Sequence, residues 1–209
     1  MDYLTFAISS FAAIFAIVDP LTAIPFFLAL TENFSKNEKY RVILRSTTVA
    51  IAILLVFALI GKYIFLILNF TTGAFKIAGG IILFMVAMDM IHGERSKTKL
   101  TEKDRDEALS REEVGVVPLG IPLLAGPGAI TTVMIYMSYA SGNAPAIMIL
   151  FGTILFIGAL TYIIFSLAGS IYRIAGRTGI LVFSRVMGLL LAAISIQFII
   201  DGILLSFKI

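Results

Sequence analysis

The chain contains no cysteine, no tryptophan and a single histidine in 209 residues. Without cysteine there is no disulfide, no thiolate metal ligand and no thiol nucleophile, and one histidine cannot supply a paired zinc site or an imidazole acid/base couple. Charge is scarce as well: 14% of the residues are Asp, Glu, Lys or Arg, against about a quarter in a water-soluble domain. Signatures of zinc hydrolases, of serine hydrolases and of nucleotide-binding loops do not occur either. The composition therefore points to no enzyme, no metal and no cofactor. In place of these the chain is 59% hydrophobic with a mean hydropathy of +1.02. Five or six spans of roughly 20 apolar residues, each crossing about 30 Å of hydrocarbon, use over half of it and leave no room for a separate soluble domain. The expected surroundings are a lipid bilayer. The net charge of +3 is what orientation-setting loops leave in such a protein, and implies no nucleic acid.

The charged residues punctuate the chain. Residues 4–30 form a first span with one charge, Asp19. Ser35 and Glu38 have capping-box spacing, so a second helix opens there and runs toward Leu68. Thr71 to Gly73 break the chain, and residues 75–91 make a third span. Residues 93–113 hold 13 of the 29 charged residues, too many for a bilayer. Ser110 and Glu113 repeat the capping box and open a fourth span, residues 114–139. A turn at residues 141–145, a fifth span over 146–171, a short basic loop at 173–179 and a sixth span over 182–205 complete the chain. On this reading thirteen of the 16 basic residues fall on one side of the membrane, leaving Lys62, Lys76 and Lys208 on the other. By the positive-inside rule the rich side is cytoplasmic, and both termini are extracellular.

The two halves resemble each other. Phe75 and Gly80 match Phe183 and Gly188 at an offset of 108, and Asp19 and Pro20 fall on Gly126 and Pro127 at 107. Units of three spans insert in opposite orientations, so the expected fold is an all-α membrane protein with two inverted three-helix repeats. The first repeat is residues 1–92, the charged cytoplasmic loop 93–113, and the second repeat 114–209.

Five of the six prolines, Pro20, Pro25, Pro118, Pro122 and Pro127, lie in spans one and four, where each removes a backbone donor and interrupts the helix. Counting 1.5 Å per residue, Asp19 sits about 22 Å along the first span and Gly126 about 18 Å along the fourth. Both breaks are thus expected near the midplane. Unwound backbone cannot face lipid, so the two breaks should face each other or a wet cavity. Asp19 as N-cap with Pro20 as first helical residue, and Pro127 opening a second half-helix, would aim two helix N-termini at one site. Such N-termini suit an anionic group, while Asp19 and the preceding carbonyls suit a cation; a small zwitterion satisfies both. The expected binding residues are Asp19, Pro20, Thr22, Ala23, Gly126, Pro127, Gly128, Ala129 and Thr131. Thr31 and Thr132 either offer hydroxyls or bond back to their own helices. Asp19 is the first candidate for ion coupling, because an ionisable residue inside a membrane marks function; Asp89 and Asp201, read as interfacial, are the alternatives. Gln197 is expected to cross-link helices, and Lys62 and Lys76 to snorkel outward.

The segments Asp19 to Phe27, Lys76 to Phe84 and Gly120 to Thr131 resemble the MarC family of six-span membrane proteins, and the resemblance extends over essentially the whole chain. It implies a transporter of small neutral amino acids such as glycine or alanine, working in the cytoplasmic membrane and driven by an ion gradient; the resemblance does not say which ion, and Asp19 points to protons, with sodium the alternative. A homo-oligomer is compatible with it. The competing readings are an exporter or channel for small metabolites and a non-transporting membrane scaffold.

Overall fold

The structure is a computed structural model that describes residues 2–67, 69, 71–93 and 124–207. The charged segment after Gly93, the Ser110 capping box and the expected breaks at Pro118 and Pro122 lie outside the described residues. Every regular element among the described residues is helical: α1 (Tyr3–Val18), α2 (Ile24–Leu30), α3 (Lys36–Ile67), α4 (Thr72–His92), α5 (Pro127–Ala140), α6 (Ala144–Ser166) and α7 (Ala168–Phe207).

Local chemistry sets most of the helix starts. Asp2 accepts the Leu4 and Thr5 amides and opens α1. Ser35 and Glu38 form the reciprocal box, with the Ser35 amide donating to Glu38 at 2.7 Å and the Glu38 amide to the Ser35 hydroxyl at 3.4 Å. Thr71 caps α4 through the Ala74 amide. Asn143 caps α6, and Pro145 sits in its first turn, where a missing N–H costs nothing.

Four of these helices are long and apolar enough to cross a membrane: α3 over Lys36–Gly61, α4, α6 and α7. The expected basic loop at 173–179 is shorter than expected. Within α7 two helical stretches meet at a kink at Gly176, whose φ 62 and ψ −177 are not helical. Arginine is a good helix former, so Arg173 and Arg177 stay helical on either side, and the kink falls on Gly176, whose positive φ a residue with a Cβ rarely adopts.

Contacts between distant residues sort the helix ends. Tyr40 meets Tyr162 edge-to-face, and Gly93 lies beside Arg185. At the opposite end Tyr3 reaches Asn143, and Gly73 lies against Ser206. The first end carries Lys36, Lys39 and Arg41, while Lys76 belongs to the second. Helices α4 and α7 run antiparallel along a seam of small residues. Gly73, Gly80 and Ala87 recur every seven residues on one helix, and meet Gly202, Ser195 and Gly188 on the other. A Cβ on Gly80 would stand 2.7 Å from the Ser195 carbonyl oxygen, and one on Gly202 2.7 Å from that of Gly73. This is how backbones approach closely where lipid supplies no hydrophobic drive between helices.

Candidate functional site

Helix α1 ends at Asp19, whose backbone takes the left-handed conformation (φ 45, ψ 61) while its N–H still donates to Phe15. Two local facts cause this. The following proline disfavours right-handed helix at Asp19, and a short polar side chain tolerates the left-handed region. The expected arrangement, with Asp19 as N-cap of a half-helix starting at Pro20, is therefore corrected. Pro20 lies in a single turn, α2 starts only at Ile24, and Pro25 takes the first-turn position. Asp19 still caps that turn, its Oδ1 accepting the Thr22 amide at 3.4 Å. Its side chain is buried, at 2% exposure.

The second break follows the expected chemistry. Gly126 is the extended N-cap of α5, Pro127 stands in its first turn, and no side chain caps it. The two interruptions meet. A Cβ on Gly128 would touch Ile17 Cδ1 at 2.8 Å and Leu83 Cδ2 at 3.4 Å, so the start of α5 packs directly on the last turn of α1. Beside this contact is a cavity of about 20 Å³ lined by Val18 and Leu124, by Thr47, Ala50, Ile51 and Leu54 of α3, and by Ile154, Ile157, Gly158 and Thr161 of α6. It has room for about one water molecule. Each of the four α3 residues has its α6 counterpart 107 positions later, the same offset that places Asp19 on Gly126.

The remaining candidates divide. Ala23, Gly128, Ala129 and Thr131 are buried, Gly126 and Thr22 half-buried, and Pro127 exposed. Thr31 and Thr132 bond back to Phe27 and Gly128, each at 2.8 Å. Thr131 packs its methyl against Gly79. The Thr22 hydroxyl is different: it is a buried oxygen with no hydrogen-bond partner, a state that costs free energy unless something else fills it. Asp89 lies half-buried in the last turn of α4.

Two expectations at the other end of the molecule fail. Lys76 does not snorkel outward; it is 3% exposed, with its ammonium 3.7 Å from the centre of the Tyr139 ring. Gln197 does not cross-link helices directly. Its amide donates to Asp201 at 2.7 Å, one turn along the same helix, and the bridge to α5 is made by the Tyr139 hydroxyl, which donates to the other Asp201 oxygen. Only the opposite signs of Lys76 and Asp201 could have signalled this cluster in the sequence, since 125 residues separate them.

The family's sequence profile, described as MarC family integral membrane protein, matches residues 4–207. The chain belongs to the MarC family. It is therefore an integral membrane protein, and its apolar helices are membrane helices. Among relatives, a UPF0056 membrane protein of Methanocaldococcus jannaschii is 39% identical over 96% of this chain and 97% of its own. A UPF0056 membrane protein of Pyrococcus abyssi is 42% identical over 95% and 94%. For the YhcE UPF0056 membrane protein of Escherichia coli K12 the figures are 34% over 92% and 89%. This MarC protein matches no solved structure.

Proposed function

We propose that this MarC protein is a secondary transporter of small neutral amino acids of glycine or alanine size, moving them across the cytoplasmic membrane by alternating access. The proposed architecture is six spans in two inverted three-helix repeats, residues 1–92 and 114–209, joined by the cytoplasmic loop 93–113, with both termini outside. Transport needs no cofactor and no covalent step.

The observation that carries this reading is the small cavity between α3 and α6, which Val18 and Leu124 connect to the two breaks although none of the nine expected binding residues lines it. Its α3 and α6 walls are related position by position at the offset that relates the two helix breaks, as a pseudo-twofold axis through the site requires. The antiparallel course of α4 and α7 supports the same symmetry, with Gly80 on Gly188 and Leu83 on Leu191 at offset 108. The buried Thr22 hydroxyl lacks a partner, and the uncapped start of α5 offers N–H groups to a carboxylate. Ala23, Ala125, Gly128 and Ala129 put little side-chain bulk at the breaks, and the close packing of α5 on Ile17 limits the space to a substrate of glycine or alanine size. A cavity of single-water size supports a carrier in a closed state, which must part α1 from α5 to load.

Purified protein in liposomes should take up glycine and alanine saturably, and exchange them across the membrane. Absence of uptake for every small neutral amino acid, with solute-independent leak in its place, would favour the channel reading.

A further inference from the structure

The void between α3 and α6 touches the chain at both breaks. Val18, the residue before Asp19, and Leu124, two before Gly126, form part of its wall together with Ala50, Ile51, Ile154 and Ile157. The lining is almost wholly apolar. Its two hydroxyls, those of Thr47 and Thr161, donate to carbonyls of their own helices, Thr47 to Ile43 at 2.7 Å and Thr161 to Ile157 at 2.8 Å. A buried water makes about three hydrogen bonds, and with both donors spent this lining does not supply them. The space, about 20 Å³, is therefore as large as one water molecule but suited to one methyl group. Its size follows from two matched positions. Ile51 fills the room that Gly158 leaves, whereas Ala50, the smallest side chain in the lining, stands opposite no such substitute and has Ile157 as its counterpart 107 positions later.

We propose that this void is the subsite for the side chain of the substrate, an apolar pocket for a single methyl group whose size Ala50 and Ile157 set. This rests on the transport reading above and adds to it the group carried on the substrate's α-carbon. With the carboxylate at the open N–H groups of α5 and the ammonium at Asp19, the α-carbon lies between the breaks, beside the wall that Val18 and Leu124 share with the void. Alanine fills the void, and glycine leaves it empty. A serine hydroxyl enters it without a hydrogen-bond partner and forfeits its hydration. An ethyl group overfills it.

Competition against labelled glycine uptake in proteoliposomes tests this, with alanine, 2-aminobutyrate and serine as the probes. The last two have side chains of nearly equal size and opposite polarity. For the wild type, alanine should compete roughly fourfold better than unlabelled glycine, the factor that about 0.8 kcal/mol for one buried methyl group gives; serine and 2-aminobutyrate should both be weaker than alanine. Ile157→Val takes one methyl group from the lining and should raise 2-aminobutyrate roughly tenfold against alanine, while serine gains far less. Ile154→Val is a second widening variant with the same expected direction, and size-exclusion profiles show which of the two folds as the wild type does. Ala50→Val fills the void and should cancel the advantage of alanine over glycine. Leu155→Val, on the exposed face of α6, should keep the wild-type ratios. Equal gains of serine and 2-aminobutyrate in the widened variants, or ratios that ignore every lining variant while glycine uptake persists, overturn the subsite and leave transport standing. A wild type that takes up neither glycine nor alanine overturns the transport reading and the subsite with it.

Discussion

Glycine is used in two opposite ways in the α4–α7 seam and at the meeting of α1 with α5. In the seam, Gly80 and Gly202 bring backbone against backbone, and what a side chain would strike is a carbonyl oxygen of the other helix. At the breaks, what Gly128 faces is the end of the Ile17 side chain. Backbone cannot yield; a side-chain tip can. The same residue type therefore fixes one interface and leaves the other able to change. The proposed transport needs both, since a half-helix that moves requires something that does not move to work against.

Enlarging the seam should break the molecule first. Gly80→Val would force a Cβ to within 2.7 Å of the Ser195 oxygen and 2.6 Å of Ile199 Cγ1, and overpacking of this kind costs about 1–3 kcal/mol or more. The expected result is loss of folded protein, read by size-exclusion profile and thermal unfolding in detergent. A Gly80→Val variant as stable as the wild type would mean that the seam is not the fixed element.

Enlarging the break should separate function from folding. With Gly128→Ala, Ile17 can turn aside, so the stability loss should stay near 1 kcal/mol while glycine uptake is lost. Ile17→Val added to Gly128→Ala sharpens the contrast. It should recover stability without recovering uptake, because the added methyl still stands beside the α5 amides. Recovery of both together would reduce Gly128 to a packing residue like those of the seam.

The two regions also differ in how far the sequence revealed them. The breaks were legible because proline and a lone membrane aspartate have strong local consequences, and the capping box at Ser35 and Glu38 was legible for the same reason. Where α2 restarts was not, since Pro20 and Pro25 each suit a first helical turn and the choice depends on the left-handed turn at Asp19. The burial of Lys76 was illegible because a lysine near a helix end ordinarily reaches water. Only the fold brings Asp201 and Tyr139 to it. The break between spans five and six was legible in Arg173 to Gly179, but not its reduction to a kink at Gly176, since arginine is charged like a loop residue and yet forms helix well.

A smaller effect tests the Asp19 turn itself. Asparagine tolerates the left-handed region and keeps the oxygen that accepts the Thr22 amide, so Asp19→Asn should fold normally. Asp19→Ala loses both and should cost about 1–2 kcal/mol through backbone strain alone. If transport reads the charge at Asp19, glycine uptake will weaken in Asp19→Asn at unchanged stability. Uptake equal to the wild type would leave Asp19 a turn residue only.

The smallest effect lies at the start of α1, the helix whose far end makes the break. Asp2 is fully exposed, and the Thr5 hydroxyl with the Leu4 and Thr5 amides holds its carboxyl below the usual value of 3.8. A depressed folded value means that the ionised cap stabilises the helix start at all pH values above the ordinary one. The contribution is lost as pH falls through the lowered value. Amide exchange at Leu4 and Thr5 should therefore be slow at neutral pH and should lose its protection only in strong acid. Asp2→Ala should remove the protection at every pH, leaving glycine uptake within twofold of the wild type. If this terminal substitution instead abolished uptake, α1 would have to be treated as one rigid lever from its cap to Asp19, and the break would no longer isolate the central site from the outer end of its own helix.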